Sequence, residues 1–242
     1  MIIALDFDGV ICDGLLECAA VTWYAGHLDH CIPPLAEAVE SLPQEYIDRF
    51  RSVRNYSRTL TDFMVANHTT SPVRDRQEFD RVRNATPAQM LDAEAAIGEQ
   101  IRTRWRTGDF TSWMTQHTLY PGIHEFIART PHEIAIVSAK DPASISAILT
   151  HHGLAGAVSR IHGSCTDKNQ VLRHLVKSSP VLFIDDNLAN VMAAETLPLT
   201  AMWAEWGYRT IEDEAVAASA GTTSVTLNGI NDVAHATYES LT

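Results

Sequence analysis

The chain has 242 residues, 45% of them hydrophobic and 20% charged, the balance of an ordinary globular protein able to bury one large core or two small ones. Its formal charge of −12 excludes a nucleic-acid-binding surface, which needs a basic patch, and no apolar run reaches the roughly 18 residues that cross a bilayer. An acidic chain that binds a phosphate must supply positive potential locally, from a metal, a lysine or helix amino termini.

In chain order, the apolar run Met1-Ile2-Ile3-Ala4 leads into "LDFDGVICDG", a strand ending in two acids one residue apart and then glycine. With no basic segment and cleavage site ahead of it, the chain is expected to stay in the cytoplasm. Cys12, Cys18, Cys31 and Cys165 have no CxxC spacing and are expected as reduced thiols. Residues 15–117 read as helical. Ile47, Phe50, Val53, Tyr56, Leu60 and Phe63 recur every three or four residues, which predicts one helix. Arg51, Arg54 and Arg58 fall along one face of it. "HTTSPVRDRQ" is a loop, and Thr86-Pro87 is the expected N-cap and first residue of a second helix running through Trp105. Trp23, Trp105 and Trp113 are expected to pack within this block.

From Tyr120 the texture alternates. Ile134–Val137 is a strand; Asp141-Pro142 caps a helix that ends at Gly153; Arg160–His162 is a short strand, and Asp167 opens the next helix. Val181–Ile184 is a strand followed by a helix through Met192, and Thr200–Trp203 is the last central strand. Short apolar strands alternating with helices predict a doubly wound, Rossmann-like parallel sheet covered on both faces. The domains expected are a core of residues 1–14 and 118–242 and a helical insert of residues 15–117.

Ligands of such sheets bind beyond the carboxyl ends of the strands. Those ends carry Asp6 and Asp8; Ser138, Ala139 and Lys140; Asp167 and Lys168; and Asp185, Asp186 and Asn187. Two carboxylates about 4 Å apart repel by roughly 4 kcal/mol at an effective dielectric of 20, so a crowd of them needs a cation. Oxygen-only ligands select a hard ion, Mg²⁺ first. Asp6 and Asp8, two apart on extended backbone, point the same way, while Phe7 points into the core. Each motif alone has a plainer reading: a turn for DxDG, an N-cap pair for Asp185-Asp186, a solvated helix residue for Lys168. Their order and placement together favour a phosphoryl-transfer site. Asp13 is expected to be structural, and His27, His30 and Cys31 are local polarity rather than a zinc site.

"DFDGV", "VSAK", the lysine after "HGSCTD" and "FIDDN" resemble the four ordered motifs of the haloacid dehalogenase superfamily. The helical insert resembles the C1-type cap of its phosphoglycolate-phosphatase-like branch, while "PGIHEFI" and "AEWGY" resemble the segments after the cap and after that branch's fifth strand. The resemblance implies a Mg²⁺-dependent phosphatase of a small-molecule phosphate monoester. Asp6 would be the nucleophile that forms an aspartyl-phosphate, and Asp8 the general acid and then base. Ser138, with the N–H of Ala139, would bind the phosphoryl group, and Lys168 would neutralise the charge it shares with Asp6. Mg²⁺ would be held by Asp6, the carbonyl of Asp8, Asp186, and Asp185 directly or through a neighbour, with Asn190 orienting Asp186. Gly9, Ala139, Lys140 and Arg54 are the expected substrate contacts, with Lys140 also readable as surface charge. A sugar-phosphate mutase and a non-catalytic binding protein of the same fold are the alternatives. Neither a nucleic-acid nor a membrane partner is expected, and the sequence leaves the substrate and the oligomeric state open.

Overall fold

The structure, a computed structural model, describes residues 1–27 and 31–235. The chain forms two compact units, one of Met1–Asp13 with Thr118–Thr242 and one of Gly14–His117.

The strands of the first unit are β1 (Ile2–Leu5), β2 (Cys12–Asp13), β3 (Thr118–Leu119), β4 (Glu133–Val137), β5 (Val158–His162), β6 (Val181–Asp185), β7 (Thr200–Ala204) and β8 (Ser224–Val225). β2 and β3 make a two-stranded antiparallel ribbon, through which the chain leaves for the helical insert and returns. The other six form a parallel sheet in the order β5-β4-β1-β6-β7-β8. This is the doubly wound, Rossmann-like sheet with a helical insertion that the strand-helix alternation predicts. Both faces are covered. Ile2, Ala4, Ala135, Val137, Val181, Phe183, Ala201 and Trp203 pack on one face with Leu172, Leu175, Leu188, Val191 and Ala217. The intervening Ile3, Leu5, Ile134, Ile136, Leu182 and Ile184 are buried as well, pointing the other way. Each such side chain contributes about 1.5–3 kcal/mol by leaving water, so the strands must read as unbroken apolar runs. From β1 the chain fills one side of the sheet through β4 and β5, then crosses to β6 on the other. The order reverses between β1 and β6, where such sheets bind ligands.

Short-range chemistry sets the helix starts. Asp141, Asp167 and Asn187 accept the N–H groups of Ser144 (2.9 Å), Gln170 (3.3 Å) and Ala189 (3.1 Å). Pro142 occupies the first turn, and Gly153, at φ +72°, ends the helix Pro142–His151. Two boundaries need correction. The short strand begins at Val158 rather than Arg160, and Thr200–Trp203, the last central strand as expected, extends to Ala204 and is followed by the edge strand β8. β8 has two residues, too few to show a period.

The second unit is helical: Leu15–Gly26, Leu35–Glu40, Gln44–Tyr56, Leu60–Phe63, Arg76–Ala85, Ala88–Gly108 and Phe110–Thr115, with a 3₁₀ turn at Met64–Asn67 and no strand among the described residues. The helix predicted across Ile47–Phe63 breaks. Ser57 is extended, and Thr59 and Asp62 cap each other to start a new short helix, so Arg58 leaves the face that holds Arg51 and Arg54. A further helix begins inside the predicted loop. Asp75 caps it by accepting from Glu78 N–H (2.7 Å), and Phe79 and Val82 anchor it in the core. Thr86 therefore ends that helix, its hydroxyl donating to the Val82 carbonyl at 3.0 Å, and Pro87 takes the N-cap position of the next. Glu17, fully buried, receives Arg102 Nε at 2.8 Å and Nη2 at 3.2 Å, and Trp113 Nε1 at 3.4 Å. Trp105 donates to the Pro33 carbonyl at 2.9 Å, and Trp23 stacks on His27 with centroids 3.7 Å apart.

Candidate active site

The parallel register sets Leu5 opposite Ile184, and the Asp6 N–H donates to the Ile184 carbonyl at 3.0 Å. Asp6 therefore leaves β1 beside the carboxyl end of β6, where Asp185 and Asp186 stand. Its Oδ1 accepts the Phe7 N–H at 2.7 Å, and its Oδ2 lies 2.9 Å from Lys168 Nζ. The Ser138 hydroxyl, buried at the end of β4, also hydrogen-bonds to Asp6. Phe7 is fully buried, as expected, although it lies just past the end of β1.

Asp185 has no exposure. It accepts from Lys168 Nζ (2.7 Å), from the Asn187 N–H (2.8 Å) and from Asn190 Nδ2 (3.0 Å). Asn190 is expected from sequence to orient Asp186; its amide reaches Asp185 instead, because the helix Leu188–Ala194 turns it back toward the last residue of β6. Asp186 is held from elsewhere: Oδ2 accepts the Tyr208 N–H at 2.7 Å, and its carbonyl accepts Trp203 Nε1 at 2.8 Å. Lys140, readable from sequence as either substrate contact or surface charge, is only 12% exposed. Its Nζ spans both oxygens of Asp8, at 3.2 and 3.3 Å. Ala139 beside it is exposed. The loop after β5 is tied to the loop after β4 by the N–H of Ser164 on the Lys140 carbonyl (2.8 Å) and of Cys165 on the Ser138 carbonyl (3.0 Å). These ties seat the helix that carries Lys168.

Gly9 and Gly207 make the close packing possible. Gly9 lies at φ +92°, and a Cβ there would fall 2.0 Å from Asp186 Oδ2. A Cβ on Gly207 would fall 2.3 Å from the Asp186 Cβ and 2.4 Å from the Gly9 carbonyl. From sequence, "AEWGY" is only a resemblance. In the structure Trp203, Gly207 and Tyr208 make the wall behind Asp186, Trp206 Nε1 donates to the Val10 carbonyl at 3.1 Å, and Tyr208 Oη donates to Asp13 at 2.8 Å. The one local signal for them is a glycine between aromatic residues just past the end of β7.

Burial alone would push the Lys168 amine down, but Asp185 and then Asp6 more than offset it and hold the ammonium well above its ordinary range. Asp6 is raised, chiefly by burial, with Asp185 adding to the effect and Lys168 opposing it. One oxygen each of Asp6, Asp185 and Asp186 lie within 4.8 Å of one another. Three carboxylates gather beside the Lys168 ammonium, and Asp8 is paired with Lys140. All the donors are hard oxygens. The set fits a small divalent cation such as Mg²⁺ in charge and in chemistry.

Other candidates stay in the helical unit. The Arg54 guanidinium lies over the Phe63 ring at 5.0 Å. His27 takes part in a hydrogen bond with the Trp23 carbonyl (2.8 Å), Cys31 is exposed, and His30 lies outside the described residues. Among the described residues no cysteine forms a disulfide, and no helix is long and apolar enough to cross a membrane.

No curated protein matches the chain in sequence. Solved structures do share its fold. A haloacid dehalogenase-like family hydrolase from Streptococcus pneumoniae superposes with a TM-score of 0.62 at 13% identity, covering 97% of each chain. A predicted phosphoglycolate phosphatase from Haemophilus somnus gives 0.58 at 16%, covering 96% of each. The protein tyrosine kinase A of Mycobacterium tuberculosis gives 0.62 at 15%, covering 97% of this chain and 98% of its own. At such identities the likeness is one of fold. The family model for haloacid dehalogenase-like hydrolases matches residues 1–197, a span that runs from β1 past the acid pair that closes β6. The chain belongs to the haloacid dehalogenase-like hydrolase family.

Proposed function

We propose that the protein is a Mg²⁺-dependent phosphatase that hydrolyses a small-molecule phosphate monoester through an aspartyl-phosphate on Asp6. One observation carries the reading: Lys168 Nζ bridges Asp6 and Asp185, at 2.9 and 2.7 Å, inside a cluster of three carboxylates. A lone ammonium placed this way neutralises a nucleophilic carboxylate as phosphoryl charge approaches it, and phosphoryl transfer asks a protein chiefly for positioning and charge stabilisation. The phosphoglycolate phosphatase name carried by the Haemophilus somnus protein agrees with this chemistry. A protein of the same fold carries a kinase name, so the assignment rests on the site and not on the fold.

In the first step an Asp6 oxygen attacks phosphorus and the ester oxygen departs with a proton from the Asp8 carboxyl, which serves as acid once protonated and released from its Lys140 pair. In the second, Asp8 takes a proton from water, whose oxygen attacks the same phosphorus, releasing Asp6 and inorganic phosphate. The proton lent in the first step is the one recovered in the second, which lets one carboxylate serve as acid and base. Ser138 and the Ala139 N–H hold the phosphoryl oxygens. Asp6, Asp186, Asp185 and the Asp8 carbonyl would hold Mg²⁺, which when bound supplies charge stabilisation for the transferring group. The space a side chain on Gly9 would take is filled by the Asp186 carboxylate, so Gly9 serves the substrate through Asp186, and Lys140 meets a further anionic or polar group of the substrate. Residues 1–14 and 118–242 form the catalytic domain in this reading. Residues 15–117 form the helical cap domain of this reading, and Arg54 is its proposed substrate residue.

The test is p-nitrophenyl phosphate turnover with and without EDTA, followed by Mg²⁺ replenishment and a phosphate-release screen across metabolite phosphates. Activity lost to EDTA and restored by Mg²⁺ supports the reading. A folded protein that stays inert after replenishment, across all substrates offered, overturns it.

A further inference from the structure

The end of β7 and the loop between it and the helix Ile211–Ala220 grip Asp186 at several points. Trp203 Nε1 holds the Asp186 carbonyl at 2.8 Å, the Tyr208 N–H holds carboxylate Oδ2 at 2.7 Å, and Gly207 packs where no Cβ could stand. This loop must itself be fixed if it is to fix anything else. At its start, the Glu205 N–H donates to the Val225 carbonyl on β8 at 3.1 Å. Further along, Trp206 Nε1 reaches the Val10 carbonyl, and Tyr208 Oη reaches Asp13 Oδ1 at 2.8 Å. Both of these last anchors belong to the segment that follows Asp6 and Asp8. Asp13 is in β2, a strand of the ribbon through which the chain passes to and from the helical insert.

We infer that Tyr208 is a positioning residue for cation binding: its main-chain N–H orients the Asp186 carboxylate, and its hydroxyl, bonded to Asp13, sets where that N–H stands. The inference rests on the reading of Asp186 as a cation ligand. One residue ties Asp186, just past β6, to Asp13 in the chain leaving β1, 195 residues away in sequence from Tyr208, so the two halves of the acidic cluster keep their spacing. A free hydroxyl in solvent would need no partner; this one is directed onto a carboxylate oxygen, a charge-assisted bond about twice as strong as a neutral one. Loss of the hydroxyl leaves the N–H in place but frees the loop to drift. A ligand misplaced by a fraction of an ångström weakens a small, geometrically demanding ion such as Mg²⁺ before it unfolds anything.

Tyr208→Phe is compared with the wild-type chain by Mn²⁺ titration, read by electron paramagnetic resonance, alongside thermal melting and Mg²⁺-dependent turnover. The expected result is a dissociation constant for Mn²⁺ raised about tenfold, the range typical of residues that support a metal ligand, with an unchanged melting temperature and turnover largely recovered at saturating Mg²⁺. Asp13→Asn keeps an accepting oxygen but only a neutral bond and should fall between the wild type and Tyr208→Phe, whereas Asp13→Ala should match Tyr208→Phe, and the double variant should be no worse than either. A Tyr208→Phe variant with wild-type Mn²⁺ affinity overturns the inference. So does a wild-type chain that binds no Mn²⁺, which removes Asp186 as a ligand. Should the wild type bind Mn²⁺ yet hydrolyse no phosphate ester, the phosphatase reading fails alone, and the comparison of affinities still decides the role of Tyr208.

Discussion

Gly9→Ala tests the geometry of the site most directly. A Cβ at that position would stand 2.0 Å from Asp186 Oδ2 and 2.5 Å from its Cγ. Restoring ordinary contact at 3.4 Å asks for a displacement of about 1.4 Å, and a shift of about 1 Å in a catalytic group costs on the order of 100-fold in rate. Alanine also pays roughly 1–2 kcal/mol for a left-handed backbone conformation, here φ +92°. Gly153 separates the two effects. It sits at φ +72°, and a methyl group added there would meet nothing within 4 Å, so Gly153→Ala carries the backbone cost without the collision. The assay is phosphate-ester turnover at saturating Mg²⁺, paired with urea unfolding of both variants. Gly9→Ala should lose about 100-fold in kcat/KM, while Gly153→Ala should lose only stability, about 1 kcal/mol. Near-wild-type turnover in a folded Gly9→Ala protein would refute the claim that this glycine exists to admit Asp186.

Other outcomes follow from single contacts. Asp8→Asn should accumulate phosphorylated Asp6, seen by intact-protein mass spectrometry after rapid quenching, or lose at least about 100-fold in turnover; near-normal turnover would remove the role given to Asp8. Glu17→Ala leaves the Arg102 guanidinium in the helical unit without its buried partner, a change expected to cost about 3–5 kcal/mol in urea unfolding. A loss below about 1 kcal/mol would mean that Glu99, 3.6 Å from Arg102 Nη1, suffices to compensate the guanidinium. For Asp62, burial pushes the carboxyl up, but hydrogen bonds from the Arg58 N–H, Arg83 and Thr59 outweigh it and hold the group below its ordinary value. A depressed carboxyl adds stability above its unfolded pKa, about 3.9, and loses it as pH falls through the folded value. Asp62→Asn should therefore destabilise the protein at pH 7 more than at about pH 3; an equal effect at both would contradict the shift.

Much of the architecture is legible in sequence because its causes are local. Strand alternation places Phe7 in the core and Asp6 with Asp8 at the rim, and a side-chain oxygen three residues ahead of an N–H makes Asp141 and Asp167 helix starts. The helical unit shows the limit of this reasoning. The period through Phe63 continues in sequence, yet Thr59 and Asp62 satisfy each other's backbone groups and end one helix to begin another. Apolar spacing alone cannot register that exchange.

The sequence by itself determined which acids, hydroxyl and lysine stand at strand ends, and so that they meet along one edge of a parallel sheet. Only the tertiary structure decided who meets whom. Lys140 pairs with Asp8 across 132 residues, Asn190 serves Asp185 rather than Asp186, and Tyr208 joins Asp186 to Asp13. The reason is physical. Periodicity and capping act over a few residues of one segment, whereas these partnerships depend on the register between strands and on the loop from β7, whose course is fixed by groups far away in the chain.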